Sequence, residues 1–217
     1  MASSDSALHV PVHPVRFVTA SSLFDGHDAS INIMRRILQA QGAEVIHLGH
    51  NRSVKEVVDA AIEEDVQGVA VSSYQGGHIE YFKYLVDSLA AAGAPHIRVY
   101  GGGGGVIVPA EIAELRDYGV TIFSPEDGQR LGLARMVNVL IRECDVDPWQ
   151  REPVDVARVL AGERTAVARA VTGAELDALP PEMREELRAA AQRRTVPVLG
   201  ITGTGGSGKS SLTDELV

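Results

Sequence analysis

Cysteine and long apolar runs are the two features that this sequence of 217 residues most clearly lacks. Its single cysteine, Cys144, excludes an internal disulfide framework and is typical of proteins from a reducing compartment. No apolar run approaches the roughly 18 residues of a membrane-spanning helix, and the opening residues MASSDSALHV lack the basic and then apolar pattern of a signal peptide. We therefore expect a soluble, cytoplasmic protein that does not associate with membranes.

Positive charge is also scarce in this chain. The 20 lysine and arginine residues are outnumbered by 29 aspartate and glutamate residues, which gives a formal net charge of −9. Such a balance argues against non-specific nucleic-acid binding, because that requires a basic surface that displaces the counterions of phosphate groups. Aromatic residues are few, but hydrophobic residues reach 45% and charged residues 23%, which are ordinary values for a folded protein. We expect a folded domain with no nucleic acid among its partners.

The first 144 residues alternate short apolar runs with segments of helical spacing. The apolar runs are Val15 to Ala20, Ala43 to Gly49, Gly68 to Ser73, His96 to Gly101 and Gly119 to Phe123. A helical pattern follows each of them, and the fifth begins after Asp127. Alternation at this interval requires crossover connections between parallel strands. We predict an α/β fold with a flavodoxin-like, doubly wound sheet of five parallel strands, in which strands two to four are buried on both faces.

The segment 145–195 differs from what precedes it, because no strand pattern occurs in it. A proline-punctuated break, DVDPWQREP, leads to short helical patterns, including a possible capping box from Thr172 to Glu175 and a helix opened by Pro180 and Pro181. We predict three parts: a domain at 1–144, a helical linker at 145–195, and the start of a P-loop domain at 196–217. That last part, an apolar strand and one loop, is too short to close a core, so we expect a longer protein.

The glycine-rich segment near the end fits the phosphate-binding pattern G-x-x-x-x-G-K-[ST] from Gly203 to Ser210. Backbone N–H groups in such loops bind phosphate oxygens, the lysine contacts the β- and γ-phosphates, and the serine hydroxyl binds Mg²⁺. We predict these two roles for Lys209 and Ser210. The candidate nucleotide-binding residues are Gly203, Gly206, Ser207, Gly208, Lys209, Ser210 and Ser211. The acidic residue that completes a Mg²⁺ site is expected beyond Val217, so this chain alone is not expected to hydrolyse a nucleotide.

Three unusual loops follow the predicted strands at their carboxyl ends. Strand one leads to SLFDGHDAS with Asp25, His27 and Asp28, strand three leads to SSYQGGH, and strand four leads to five consecutive glycines at 101–105. Ligands of open α/β sheets bind at this edge, beside the point where the strand order reverses. Consecutive glycines also remove side chains where a bulky group must approach the backbone. The three loops together predict a ligand site.

Other ligands of this fold class fit these loops less well. A dinucleotide motif G-x-G-x-x-G started within the glycine run would end on valine or isoleucine, and the run follows strand four rather than strand one. A flavodoxin-type phosphate loop would need serine and threonine where this chain has Asp25, Gly26 and His27. A phosphoacceptor domain of response-regulator type would need a paired acidic cluster and a lysine after the last strand, and neither is evident.

The three loops resemble those of the cobalamin-binding domain that adenosylcobalamin-dependent mutases share with cobalamin-dependent methionine synthase. The signature of that family is D-x-H-x-x-G, then S-x-L, then G-G. Here Ser30 stands where the first motif has its last glycine, Tyr74 replaces the leucine, and GGVIVP is similar to the mutase version of the third loop. The resemblance extends over about Pro14 to Cys144.

This resemblance implies a role for each motif residue. His27 would replace the cofactor's own benzimidazole as the lower ligand of cobalt, and Asp25 would accept a hydrogen bond from the other imidazole nitrogen. The displaced nucleotide tail would enter the sheet between strands one and three, where Ser72 would hydrogen-bond it. The candidate cofactor-binding residues are Asp25, Gly26, His27, Asp28, Ser72, Tyr74, Gly103, Gly104, Gly105 and Ser124.

The order of the parts narrows the resemblance to the fused isobutyryl-CoA mutases, in which a cobalamin domain, a G-protein chaperone domain and a substrate-binding barrel follow one another. That resemblance implies an adenosylcobalamin-dependent isomerase that interconverts isobutyryl-CoA and n-butyryl-CoA by a radical rearrangement. It also implies GTP with Mg²⁺ in the G domain, an acyl-CoA substrate held by a downstream barrel, and a homodimeric full-length protein. No catalytic residue is expected within this chain itself.

Two alternatives stay open at the level of sequence. A cobalamin carrier or sensor module coupled to an NTPase domain, without mutase chemistry, would have the same motifs. A phosphoacceptor signalling domain would bind no corrinoid, and an absorbance spectrum of the protein mixed with cobalamin would test that hypothesis.

Overall fold

Five parallel strands form one sheet in the order β2-β1-β3-β4-β5. The strands are β1 (Arg16–Ser22), β2 (Glu44–Arg52), β3 (Gly68–Ser72), β4 (Arg98–Gly102) and β5 (Val120–Ile122). The chain runs outward from β1 to β2 on one side, and then from β3 to β5 on the other. The predicted doubly wound, flavodoxin-like sheet is confirmed, and its order reverses between β1 and β3.

This computed structural model describes residues 7–150 and 153–216. They fall into two units, Met1–Leu179 and Pro180–Val217, and each is described by itself. The first unit contains the sheet and also most of the segment predicted as a linker; the predicted boundaries 1–144, 145–195 and 196–217 stay predictions. None of the helices in the described ranges is long and apolar enough to cross a bilayer.

Helices cover both faces of the sheet in the first unit. They are α1 (Ala29–Ala40), α2 (Val54–Glu63), α3 (His78–Ala91), α4 (Pro109–Asp117), α5 (Pro125–Leu131), α6 (Leu133–Cys144), α7 (Val156–Leu160) and α8 (Arg164–Glu175), with a 3-10 turn at Gly104–Val106. Two buried apolar clusters result, with Val18, Val57, Val69, Phe82 and Leu85 on the α2–α3 side and Phe17, Leu38, Tyr100, Val137 and Ile141 on the α1–α6 side. The sheet is therefore the middle layer of three.

Strand β2 corrects one expectation from the sequence. Strands two to four were expected to be buried on both faces, and every residue of β3 is indeed buried. However, β2 lies at the edge of the sheet, and none of its residues is fully buried. An edge strand has a neighbour on one side only, so its backbone and side chains stay partly open to water.

The fifth predicted helix is two helices, α5 and α6, which meet at Gly132. This glycine has a φ of +75°, a backbone conformation that side chains with a Cβ rarely adopt. The break lets α6 start in a new direction and pack its apolar side against the sheet, where Val137, Leu140 and Ile141 are buried.

The predicted capping box at Thr172 to Glu175 is wrong, because these residues form the last turn of α8 rather than the start of a helix. The helix begins eight residues earlier, after Glu163. It packs against α2, where the guanidinium of Arg164 donates to Asp59 and Glu63, each at 2.8 Å. The segment through α8 is thus part of the same folded unit as the sheet.

The second unit contains α9 (Pro181–Gln192) and α10 (Lys209–Leu216). The helix predicted after Pro180 is confirmed. The strand predicted before the glycine-rich loop is not observed at 196–202, where Val198 is 92% exposed. A strand needs a neighbour for its N–H and C=O groups, and no described residue pairs with this segment.

The carboxylate of Asp145, just after α6, holds the residues that precede β1. It accepts hydrogen bonds from the backbone N–H groups of Val12 (2.8 Å) and His13 (2.9 Å), and lies 2.7 Å from the Nε2 atom of His9 and 3.0 Å from the Nδ1 atom of His13. Burial opposes ionisation of this group, but the hydrogen bonds outweigh it and lower the pKa of Asp145 to about 2. The ionised carboxylate therefore stabilises the fold.

Asp145→Asn is expected to lower the free energy of unfolding at neutral pH. The pKa of Asp145 is about 2 in the folded chain against 3.8 ordinarily, so the ionised group stabilises the fold above about pH 4 and stops doing so as the pH falls toward 2. Urea unfolding of both proteins between about pH 7 and about pH 2 measures this, and the gap between them should close below about pH 4. A gap that is constant over this range would contradict the assignment.

Candidate functional site

A buried carboxylate and an exposed imidazole lie together on the turn after β1. The side chain of Asp25 is 0% exposed, whereas that of His27 is 76% exposed. The Oδ1 atom of Asp25 accepts from the backbone N–H of His27 at 2.8 Å and lies 2.9 Å from the Nδ1 atom of its ring. A carboxylate only accepts, so Nδ1 carries the proton of that hydrogen bond. The neutral ring then keeps the lone pair of Nε2 available to a metal ion.

Tyr74, on the loop after β3, contacts both Asp25 and His27. Its backbone N–H donates to the Oδ2 atom of Asp25 at 2.6 Å, so the carboxylate joins the first loop to the second. Its ring lies 5.6 Å from the His27 ring, measured between centroids, at an interplanar angle of 45°. The sequence pattern has leucine at this position, and the tyrosine here adds an aromatic contact that restricts the imidazole.

Serine hydroxyls connect the ends of β1 and β3 below this turn. Ser21 donates to the carbonyl oxygen of His27 (3.0 Å) and lies 2.9 Å from the hydroxyl of Ser72, while Ser22 donates to Ser73 at 2.8 Å. Each hydroxyl has one hydrogen, so Ser72 must donate to Ser21 and can only accept a further hydrogen bond. Ser72 was predicted from the sequence, whereas Ser21 and Ser22 were not, because they resemble ordinary strand residues.

The glycines of the run at 101–105 differ in their surroundings. A Cβ at Gly101 would overlap the buried side chains of Phe82 and Ile122, and a Cβ at Gly103 would overlap the carbonyl oxygen of Ser73. Gly104 has a φ of +56° and lies beside the Tyr74 ring, whereas a Cβ at Gly105 would meet no atom within 4 Å. The protein's own packing therefore requires glycine at two of the five positions.

A cavity of about 410 Å³ opens between the sheet and the helices α1, α5 and α6. Its polar side chains, Ser30, Ser72, Ser124 and Gln129, are few, and most of the wall is apolar: Ile31, Met34, Leu38, Tyr100, Phe123, Leu133, Met136, Val137 and Leu140. Gly102, Gly103 and Gly104 also line it. The site thus offers an exposed imidazole in contact with Tyr74, which lines a mainly apolar pocket, and this arrangement fits a cofactor with a metal centre and an organic tail.

The remaining predicted residues differ in their contacts. Ser124 lines the cavity, but its hydroxyl caps α5 by bonding the backbone N–H and the carboxylate of Asp127. Asp28 occupies the N-cap position of α1 without a side-chain capping bond. Gly26 is exposed, with no atom within 4 Å of an added Cβ. The fold therefore brings together six of the predicted residues around this turn: Asp25, His27, Ser72, Tyr74, Gly103 and Gly104.

His78 is a further candidate residue near the site, and it was not predicted from the sequence. It is buried at the start of α3, with Nδ1 3.0 Å from the carbonyl oxygen of Gln75 and Nε2 3.0 Å from the carboxylate of Glu111. That carboxylate also accepts from the backbone N–H of Val108, and these hydrogen bonds, that of Val108 first, lower the pKa of Glu111. The pair joins the loop after β3 to the segment after the glycine run.

The second unit contains the glycine-rich loop directly before α10. Gly206 and Gly208 have φ angles of +77° and +79°, so both need the conformational freedom of glycine. Lys209 begins α10, and its Nζ atom donates to the carbonyl oxygen of Thr204 across the loop at 2.7 Å. Ser210 and Ser211 follow in the first turn of the helix. The lysine, the loop and a helix N-terminus are thus together, as the phosphate-binding pattern predicts.

Comparison with known proteins shows the family to which this chain belongs. The family model described as the B12 binding domain matches residues 15–129, which include all three loops. The chain belongs to the B12-binding domain family. The resemblance that the motifs predicted is confirmed.

Similar proteins include several that are larger than this chain. The fused isobutyryl-CoA mutase of Nocardia farcinica is 72% identical over 214 residues, which cover 99% of this chain and 20% of that protein. The small subunit of 2-hydroxyisobutanoyl-CoA mutase from Aquincola tertiaricarbonis is 35% identical over 107 residues, which cover 49% of this chain and 77% of that subunit. The chain therefore spans about a fifth of the length of the fused mutase.

A solved structure agrees with the fold. The structure of a cobalamin-binding protein from Desulfitobacterium hafniense DCB-2 has a TM-score of 0.50 and 28% sequence identity to this chain. The alignment covers 59% of this chain and 58% of that one.

Gly103→Ala is expected to destabilise the first unit by about 1–3 kcal/mol, because its methyl group would overlap the carbonyl oxygen of Ser73 and force the loops apart. Gly105→Ala is the matched control in the same glycine run, since its methyl group meets open space. Thermal unfolding of the two variants beside the unaltered protein measures the difference. Equal unfolding temperatures for the two variants would contradict the assignment.

Proposed function

We propose that this chain is the cobalamin-binding part of an adenosylcobalamin-dependent acyl-CoA mutase, with His27 as the lower ligand of cobalt. The observation that carries the proposal is the pairing of an exposed imidazole with a fully buried carboxylate, next to Tyr74, which lines the cavity. Asp25 bonds Nδ1, which leaves Nε2 as the nitrogen that would bind the metal ion.

The residues present fit such a cofactor on two counts. The imidazole is accessible, and the cavity lined by its neighbour Tyr74 is mainly apolar with few polar side chains. The cavity would hold the displaced nucleotide tail, with Ser72 as an acceptor for one of its hydroxyl groups. Because Asp25 also bonds two backbone N–H groups, it would fix both the tautomer and the direction of the imidazole.

The mutase assignment is supported by the names of relatives that match nearly the whole of this chain. Fused isobutyryl-CoA mutase is the name of relatives with 72%, 64% and 63% identity over nearly the whole of this chain. Bound adenosylcobalamin supplies an organic radical for a carbon-skeleton rearrangement. The residues of this chain would hold that cofactor, while an acyl-CoA substrate would bind a further domain of a homodimeric full-length protein. Interconversion of isobutyryl-CoA and n-butyryl-CoA is the reaction we infer.

The glycine-rich loop of the second unit would bind GTP with Mg²⁺ in a chaperone domain that loads the cofactor. Lys209 would contact the β- and γ-phosphates, and the hydroxyl of Ser210 would bind Mg²⁺. The conformations of Gly206 and Gly208 support this role, since consecutive backbone N–H groups in such a loop face a bound anion.

The ligand assignment predicts a spectroscopic result. Reduced cobalamin bound to this protein is expected to show electron-spin coupling to one histidine nitrogen, because its unpaired electron points along the axial bond. Labelling the protein's histidines with ¹⁵N should change the splitting from a triplet to a doublet, since the nuclear spin changes. A splitting that ignores the label would mean that benzimidazole is still bound and would overturn the assignment.

Two variants refine this test. His27→Ala is expected to lose the histidine coupling while some binding persists, because the cavity is intact. Asp25→Asn is expected to keep the coupling but weaken cofactor affinity by about 10- to 100-fold, the usual effect of removing the partner of a ligating histidine. Affinity that is unchanged in Asp25→Asn would show that the carboxylate does not tune the ligand.

Lys209→Ala is expected to abolish GTP hydrolysis in the full-length protein, because a methyl group cannot replace a positive charge on the β- and γ-phosphates. Mutase turnover of protein already loaded with cofactor should persist, since the cofactor binds elsewhere. Lys55→Ala is the control, because Lys55 is an exposed residue of α2 that pairs with Asp59. GTP hydrolysis at the unaltered rate in Lys209→Ala would remove the nucleotide assignment.

A further inference from the structure

Ser30 is a polar residue of the cavity wall whose hydroxyl has no hydrogen-bond partner among the described residues. It is the second residue of α1 and lines the cavity, and its Oγ atom is buried without a hydrogen-bond partner. The other serines of the wall are occupied: Ser72 bonds Ser21, and Ser124 caps α5. Within the described residues, Ser30 is thus the wall residue whose buried side-chain oxygen is unsatisfied.

An unsatisfied buried hydroxyl is costly. A buried donor or acceptor without a partner destabilises a fold, because it has lost hydrogen bonds that it makes to bulk water in the unfolded chain. Alanine at this position would avoid that cost, and the family signature D-x-H-x-x-G has glycine there. The serine is therefore unfavourable for the empty domain, unless a ligand in the cavity supplies the missing partner.

We propose that the hydroxyl of Ser30 donates a hydrogen bond to the nucleotide tail of the bound cobamide. This inference rests on the proposed function, since it concerns the tail of the same cofactor. The two serines then complement each other: Ser72 can only accept, whereas Ser30 is free to donate to a phosphate, ribose or base acceptor of the tail. The pocket would therefore bind the tail through one hydrogen-bond donor, Ser30, and one acceptor, Ser72.

The test compares cobalamin with cobinamide, which contains the corrin and cobalt but no nucleotide tail. Ser30→Ala is expected to weaken cobalamin binding by about 3- to 10-fold, the value of one hydrogen bond, and to leave cobinamide binding unchanged. The same variant without cofactor should unfold at the same temperature as the unaltered protein or higher, because an unsatisfied group has been removed. Ser124→Ala, which loses the cap of α5, should unfold at a lower temperature.

The possible outcomes separate this inference from the proposed function. Failure of the unaltered protein to bind either corrinoid would overturn the proposed function itself. Normal cobalamin binding by Ser30→Ala, or an equal loss for cobalamin and cobinamide, would overturn the role of Ser30 while the cobalamin site stands. A lower unfolding temperature for cofactor-free Ser30→Ala would show that the hydroxyl is satisfied within the protein, and would also overturn the inference.

Discussion

The geometry of the site depends on one buried carboxylate, that of Asp25. Burial of an unpaired carboxylate would be prohibitive, but this group accepts from the backbone N–H groups of His27 and Tyr74 and from the imidazole of His27. The hydrogen bonds that make its burial possible are the same ones that join two loops and orient the imidazole of His27. The turn that carries it is itself constrained, since Phe24 has a φ of 64° and its N–H donates to Asn51.

Much of the fold was predictable because periodicity reports which residues face apolar surroundings. The alternation of apolar runs and helical spacing gave the five strands, their parallel direction and the switch point. Strand position within the sheet is a tertiary property, so the exposed edge at β2 was not foreseen. The same limit applies to residues 196–202, whose apolar composition suits a strand, and to Thr172 to Glu175, where a capping pattern occurs inside a helix.

The site was predicted where its chemistry is local in sequence and missed where it depends on register. Asp25 and His27 are two residues apart, so a motif identifies them. Ser21 lies opposite Ser72 only because β1 and β3 pair in that register, and no local pattern reveals it. The glycine run was attributed to an approaching ligand, whereas two of its members are required by protein atoms, including the carbonyl oxygen of Ser73 at Gly103.

The helix α6 shows that the folding unit is larger than the family match. That match ends at residue 129, before α6, yet this helix supplies Val137, Leu140 and Ile141 to the core and one wall to the cavity. A chain cut at the match boundary would expose Phe17 and Tyr100 to water and open the pocket along its length. A shortened chain that keeps the B12-binding domain intact therefore has to include all of the packed layers, and the compact unit that contains them extends to Leu179.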